Sequence, residues 1–316
     1  MKNPLRPELQ CPIVYCPSGN QGWIIDFMAQ DIANFYNAKL VRIPRRRREI
    51  TLHAKRLIKY TSQKYIFVHH RMFISLLMRS QIDLNSINIV YFLHHEISNN
   101  CHKNELIKNL RFATKIIVMS TQSKKFLINK LGNEHARKIE VIIGGADCSQ
   151  FTNLNKERNP KSVIFVNNLA KRKRPDLILR TVQTNPDFNF ILHGKGWERS
   201  SILNKLKQLP NFNYYEFDFK NAAELYNSSF IFLSLSDLEG GPIPVLEALA
   251  SGCRVITTDT GWAQDVAKIS NSVLTLPVDP SEIEVKKSLH KILLFEQPKT
   301  TVAQYFSYEN FLKAFK

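Results

Sequence analysis

Residues 234–259 read SLSDLEGGPIPVLEALASGCRVITTD, and their order decides the fold. An apolar run ends near Ser236 as a strand should. Glu239-Gly240-Gly241-Pro242 interrupts it. A helix is expected to start near Pro244, run through VLEALA and stop at Ser251-Gly252. Arg254–Thr257 then resumes a strand. Proline near the first helical position and glycine just beyond the last suit those two boundaries.

The same alternation extends outward from this segment in both directions. Short apolar, β-rich runs occur at Cys11–Cys16, Ala38–Ile43, Tyr65–His69, Ile87–Leu93, Lys115–Met119 and Glu140–Ile143. After a polar gap they continue at Ser162–Val166, Phe188–Leu192, Phe212–Phe217, Phe230–Leu235, Arg254–Thr257 and Ser272–Leu276. Helical patterns lie between most of them. Near-continuous apolar strands alternating with helices predict α/β architecture, with parallel sheets covered on both faces. The gap Ser149–Lys161 (SQFTNLNKERNPK) follows Gly144-Gly145 and reads as an interdomain linker. Two doubly wound domains are therefore expected, at 1–150 and 160–300. Ligands of such sheets bind beyond the carboxyl ends of the strands, so the site is expected in the cleft between the two domains.

The loop before VLEALA suits an anion. Two glycines allow a ligand close to the backbone. The helix start that follows leaves unpaired N–H groups and a partial positive charge, which favour a diphosphate. Glu239 on the loop is placed to bind sugar hydroxyls. Glu247, read as lying in the first helical turn, is placed to hold the two hydroxyls of a ribose. The bland alternative is an ordinary strand–loop–helix with two exposed glutamates. The Gly-Gly pair, the proline and the strand that follows weigh against it.

This segment resembles the E-x7-E signature of retaining GT-B glycosyltransferases, family 4 in particular, whose usual form is E-G-x-G-x-P-x-x-x-E-A. Here it stands as Glu239-Gly240-Gly241-Pro242-Ile243-Pro244-Val245-Leu246-Glu247-Ala248, with Pro242 where the family has its second glycine. Val163–Asp176 (VIFVNNLAKRKRPD) resembles the family's strand-to-loop segment whose Arg and Lys grip the donor diphosphate. Lys173 matches the Lys, whereas Asn168 occupies the Arg position; Arg172 or Arg174 is then the candidate replacement charge.

Further segments follow in the family's order. His193-Gly194-Lys195-Gly196 resembles its G-x-G turn and reads as structural. Glu216-Phe217-Asp218-Phe219 lies where it contacts the base through backbone. IIGGADCSQF, residues 142–151, resembles the turn closing its first domain, and Phe306-Ser307-Tyr308-Glu309 its C-terminal F-S-W motif. That last match implies that residues 301–316 form a helix returning to the N-terminal domain. In the first domain, Gly19 and Gly22 follow the first strand where relatives carry a glycine-rich loop. His95-Glu96, or His94-His95, stands where relatives place a His-Asp pair facing the donor sugar.

The resemblance thus implies a GT-B fold of two Rossmann-like domains, the first for the acceptor and the second for a nucleotide sugar. It implies Glu239, His95 and Lys173 as catalytic groups. Gly240, Gly241, Ile243, Glu247, Asn168, Arg172, Phe217 and Gly19 would bind the donor. The donor is expected to be a nucleoside diphosphate sugar, UDP favoured and GDP second. No cofactor and no metal are expected to be required, since no DxD-type pair is evident.

Composition adds a partner and a compartment. The chain has 316 residues and a net charge of +17. Of that excess most lies in the first 150 residues, which hold 23 Lys and Arg against 10 Asp and Glu; the remainder holds 21 against 17. Arg45-Arg46-Arg47-Arg48, with Lys55, Arg56, Lys59 and Lys64 behind it, suits an anionic membrane surface. No nucleic-acid module is recognisable, and no nucleic-acid partner is expected. Five cysteines without a CxxC pair suggest neither disulfides nor zinc, and no secretory or membrane-spanning run stands out. A cytoplasmic protein is expected, resting at most on the inner membrane face. The function expected is retaining sugar transfer to a glycan or lipid-linked acceptor in surface polysaccharide or glycolipid synthesis. Two readings compete with it: a GT-B sugar-nucleotide epimerase or hydrolase, which converts its substrate without an acceptor, and a non-catalytic basic binding protein, which no nucleotide would protect in thermal melts.

Overall fold

In the computed structural model, the residues described are 12–17, 24–43, 64–69, 74, 77–78, 83–84, 87–94, 103–299 and 305–316. They contain twelve strands in two six-stranded parallel sheets. Each of the twelve apolar runs becomes a strand, shifted by no more than two residues at either end.

The first unit comprises residues 1–142 together with 312–316. Its strands are β1 (Ile13–Pro17), β2 (Lys39–Ile43), β3 (Lys64–Val68), β4 (Asn88–Leu93), β5 (Lys115–Val118) and β6 (Ile139–Val141), in the order β2-β1-β3-β4-β5-β6. Every residue of β1 is buried, as a strand covered on both faces requires. Tyr15 stacks on Phe67 of β3 at 4.8 Å between ring centroids. The last residues of the chain add to this core. Phe315 is fully buried, edge-on to Phe92 at 5.3 Å, and Lys64 Nζ donates to the Phe315 carbonyl at 2.6 Å.

The second unit comprises residues 143–311. Its strands are β7 (Ser162–Val166), β8 (Asn189–Gly194), β9 (Phe212–Glu216), β10 (Ile231–Ser234), β11 (Arg254–Thr258) and β12 (Val273–Leu276). Their order is β12-β11-β10-β7-β8-β9, so the chain winds outward from β7 in both directions. The core joins Val163, Phe165, Phe190, Leu192, Leu233 and Ile256 on the strands to Leu177, Ile178, Val285 and Leu289 on helices. Each such side chain stabilises the unit by about 2 kcal/mol when taken out of water.

The polar stretch Ser149–Lys161, read above as a linker, lies within the second unit, and the division between units falls after Ile142. The physical reason is Arg158. Its guanidinium donates to the carbonyls of Ser251 at 2.5 Å and Ser229 at 3.2 Å, and to Asn153 Oδ1 at 3.0 Å. Those carbonyls terminate two helices and otherwise lack intrahelical donors, so a single cation fastens the stretch across both ends. Polarity alone therefore did not mark a free segment.

Among the described residues no helix is long and apolar enough to cross a membrane.

Candidate functional site

The winding of the second sheet creates a crevice. Connections leave β7 and its neighbour β10 in opposite directions, so the loops beyond their carboxyl ends part there, and α/β sheets bind ligands at that point. The loop after β7 carries Arg172 and Lys173. The loop after β10 carries Glu239, Gly240 and Gly241.

These loops meet in a cluster of two cations and one carboxylate. Lys173 Nζ donates to Glu239 Oε1, and Arg172 Nη1 reaches the same oxygen at 2.7 Å. Lys173 and Glu239 are both buried, whereas Arg172 is half-exposed. Arg172 also ties the loops through backbone. Its carbonyl accepts from the Asp237 amide at 2.9 Å, and its guanidinium donates to the Leu238 carbonyl at 3.0 Å. Burial disfavours the charge on Glu239, but Lys173 first and then Arg172 more than offset this and hold the carboxyl below its ordinary value. Burial likewise lowers Lys173, with Glu239 opposing. One carboxylate against two cations leaves a local positive surplus at the crevice, the electrostatics an anionic ligand requires.

Arg174 does not join. It adopts the left-handed conformation at φ 53°, and its guanidinium pairs instead with Asp279. Asn168 follows β7, is half-buried, and takes no part in the contacts around Glu239.

The helix that follows spans Ile243–Ala250, with Pro242 as its N-cap and Pro244 in its first turn. It ends at Ser251 and Gly252, where glycine supplies φ 86°. Because the helix begins one residue before Pro244, Glu247 is its fifth residue and not in the first turn, as the sequence had suggested. Glu247 therefore contacts the neighbouring helix, Phe219–Ser228, where Tyr226 Oη donates to Glu247 Oε2 at 3.0 Å. Burial pushes the Glu247 carboxyl up to about 7, with the Tyr226 hydrogen bond acting in the other direction.

Gly241 is required by packing. A Cβ there would lie 2.3 Å from Cζ3 of Trp262, a ring that is completely buried. The same ring abuts Gly144. Gly241 thus rests on a buried aromatic ring, which restricts the path of the loop.

The loops after β8 and β9 form a second cluster. His193, fully buried, accepts the Asp218 amide on Nε2 at 3.0 Å, and Phe217 stacks on its ring at 4.8 Å. Gly19 and His95 lie outside the described residues, as does Arg45–Lys59. His94 is described and buried, edge-on to Phe92 at 6.0 Å. Among the described residues no group of three or more His, Cys, Asp or Glu is arranged to hold a metal ion.

Residues 149–300 match the family model described as Glycosyl transferases group 1. The crystal structure of Anabaena Alr3699/HepE with UDP and glucose superposes with a TM-score of 0.75 at 14% identity, over 96% of this chain and 98% of that one. A glycosyltransferase from Rickettsia africae does so at 0.72 and 15%, over 96% of each. The fold is GT-B. The stretch that matches the group 1 model includes Arg172, Lys173 and Glu239. Among curated proteins, the Escherichia coli O-antigen biosynthesis glycosyltransferase WbnH is 23% identical over 224 residues, 66% of this chain and 61% of the relative. The GtfA subunit of the Streptococcus gordonii UDP-N-acetylglucosamine–peptide N-acetylglucosaminyltransferase is 24% identical over 62% of this chain and 42% of the relative. The chain thus matches about three-fifths or less of the length of these curated relatives.

Four participants escaped sequence reasoning: Tyr226, Trp262, His193 in its support of Phe217, and Arg158. Tyr226 occupies an ordinary core position in a helix and Trp262 the cap position before one, and no spacing connects them to Glu247 or Gly241. For His193 a signal existed, since it stands at a strand end directly before a glycine turn.

Proposed function

We propose that this GT-B chain transfers a sugar from a nucleoside diphosphate sugar to a glycan or lipid-linked acceptor with retention at the anomeric carbon. One observation carries the reading: Arg172 and Lys173 converge on Glu239 at the crevice of the second sheet, beside a glycine loop that opens a helix. The site residues act as follows. Arg172, Lys173 and the amides of Gly240, Gly241 and Ile243 stabilise the negative charge of the leaving diphosphate. Glu239, anchored by those cations, orients the donor sugar. Glu247 holds the ribose diol. The acceptor hydroxyl oxygen bonds to the anomeric carbon on the face from which the diphosphate oxygen departs. The acceptor's proton passes to that departing oxygen, so no protein base is consumed. His95 and Gly19 contribute from the first unit, which binds the acceptor.

A uridine nucleotide is the favoured donor, with guanosine second. HepE was crystallised with UDP and glucose, and pneumococcal GtfA with UDP and GlcNAc. WbnH, an O-antigen biosynthesis enzyme by name, points to surface polysaccharide. The surplus of Lys and Arg at Arg45–Lys64 suits docking on anionic lipid at the cytoplasmic membrane face. Vesicle flotation tests this; equal recovery with neutral and anionic vesicles ends it.

Calorimetric titration with UDP, GDP, ADP and dTDP tests the donor assignment, and the anomeric configuration of the product tests retention. Glu239→Ala and Glu247→Ala should each suppress donor binding and transfer. Near-normal donor hydrolysis and transfer in both variants would refute the site.

A further inference from the structure

The two helices that carry Tyr226 and Glu247 end at one cation. Tyr226 lies near the end of the helix Phe219–Ser228, and Glu247 near the end of the helix Ile243–Ala250. Their hydrogen bond, 3.0 Å long, therefore sits within one turn of two C-termini. Each C-terminus presents carbonyls without intrahelical donors and carries a partial negative charge. Brought side by side, such ends repel. Arg158 lies between them. Its Nη1 donates at 3.2 Å to the carbonyl of Ser229, which caps the first helix, and its Nη2 at 2.5 Å to the carbonyl of Ser251, which caps the second. Both serines are fully buried.

The same guanidinium reaches Tyr226 by two further routes. Arg158 Nη2 donates to Asn227 Oδ1 at 3.3 Å, and Asn227 adjoins Tyr226 in the chain. That amide is itself held, for its Oδ1 accepts from the Leu154 amide and its Nδ2 donates to the Thr152 carbonyl, each at 3.0 Å. The second route runs through Cys253, 3.9 Å from Arg158 Nη1. Its thiol donates to the Tyr226 carbonyl at 3.1 Å and to the Ser229 carbonyl at 3.4 Å. Burial pushes that thiol up to about 12, so it keeps its proton and remains a donor. The backbone of Tyr226 is thus fixed from the side opposite to its hydroxyl, and its ring is fully buried.

We infer that Arg158 is a positioning residue for donor binding: by clamping the ends of these two helices it sets the Glu247 carboxylate where it grips the ribose. The inference rests on the proposed ribose role of Glu247 and adds the residue that keeps it in place. Arg158 acts through the helices and touches no substrate. A guanidinium suits the task, because its planar fork sends separate N–H groups to separate acceptors and stays charged at any working pH. Without it, two buried carbonyls lose donors and two like partial charges face each other. The helix ends then part, and Glu247 moves with the second.

The test is calorimetric titration of the full chain at about pH 8, where Glu247 is ionised, with UDP, 2′-deoxy-UDP and inorganic pyrophosphate. The wild type should prefer UDP to the deoxy form, which lacks one of the two hydroxyls that Glu247 accepts. Arg158→Met keeps the stem and removes the fork. It should weaken UDP roughly tenfold, the scale of one hydrogen bond to a charged group, and erase most of that preference. Pyrophosphate, which has no ribose, should bind the wild type and Arg158→Met equally. In a Glu247→Gln background, Arg158→Met should cost UDP affinity nothing further, since the two changes remove the same contact. Arg158→Lys keeps the charge and loses only the fork; it replaces Arg158→Met if that variant does not fold, and should show a smaller loss of the same preference. An unchanged preference in the variant that folds overturns the proposal. So does an equal loss for pyrophosphate, or an undiminished loss in the Glu247→Gln background, because either means a general loosening of the second unit. A wild type indifferent to the 2′-hydroxyl defeats the ribose reading of Glu247 and the inference with it, and is told apart because it appears before any change at Arg158.

Discussion

Replacing Glu247 by glutamine removes a carboxyl whose burial carries it from an ordinary 4.5 to about 7. To hold a ribose diol this group must accept two hydroxyl protons, so it must be ionised when the donor is bound. Donor binding is then linked to loss of a proton. At a pH one unit below the free-state value about nine-tenths of the protein carries the neutral acid, and affinity is ~10-fold below its alkaline plateau. Near pH 7 the deficit is about twofold, and above it the dependence flattens. The ligand for the assay is an intact UDP-sugar, because both its phosphates are esterified, whereas the terminal phosphate of UDP itself titrates near a pKa of about 6. Titration from about pH 6 to about pH 8 should show affinity rising about tenfold in the wild type and staying level, at a lower value, in Glu247→Gln. Stability should run the opposite way. The folded carboxyl holds its proton more tightly than the unfolded one, so the wild type loses stability as pH rises from 4.5 to about 7. That loss is at most about 3 kcal/mol and is absent from the glutamine variant. A UDP-sugar affinity that is flat with pH in the wild type, or equally sloped in Glu247→Gln, would refute the reasoning.

Two further perturbations probe the loops. Lys173→Met strips the buried Glu239 of one of its two cations; the protein should lose about 3 kcal/mol in urea unfolding, and adding Glu239→Gln should restore part of that stability without restoring donor affinity. Gly241→Ala drives a methyl to 2.3 Å from Trp262 Cζ3. It should cost about 2 kcal/mol and displace the glycine loop, with a matching fall in UDP affinity. Trp262→Leu in the same chain should recover some of the stability; no recovery would mean that the ring is not the obstacle.

Much of the architecture was legible because parallel strands buried on both faces must be apolar throughout. Such runs stand out without any long-range information, and all twelve became strands. The loop Glu239–Pro242 was legible for a local reason too, since glycines and proline punctuate a chain whatever surrounds them. The start of the next helix was misread by one residue, and that residue moved Glu247 beyond the first turn. Sequence periodicity does not distinguish a proline at the first helical position from one at the second, because either spares a hydrogen bond.

The sequence by itself determined the alternation of strands and helices, the glycine loop, the surplus of cations and the residue types available for an anionic ligand. Only the tertiary structure chose among them. Arg172, Lys173 and Arg174 are consecutive and chemically alike, yet a left-handed turn at Arg174 sends the third away to Asp279 while the first two face Glu239. Glu247 is 21 residues from Tyr226, and Gly241 is 21 residues from Trp262. Those pairs meet because of the order in which the strands lie in the sheet, a property of the whole second unit that no local spacing encodes. The composition of the site was thus written locally, whereas its geometry was decided by the winding of the sheet outward from β7.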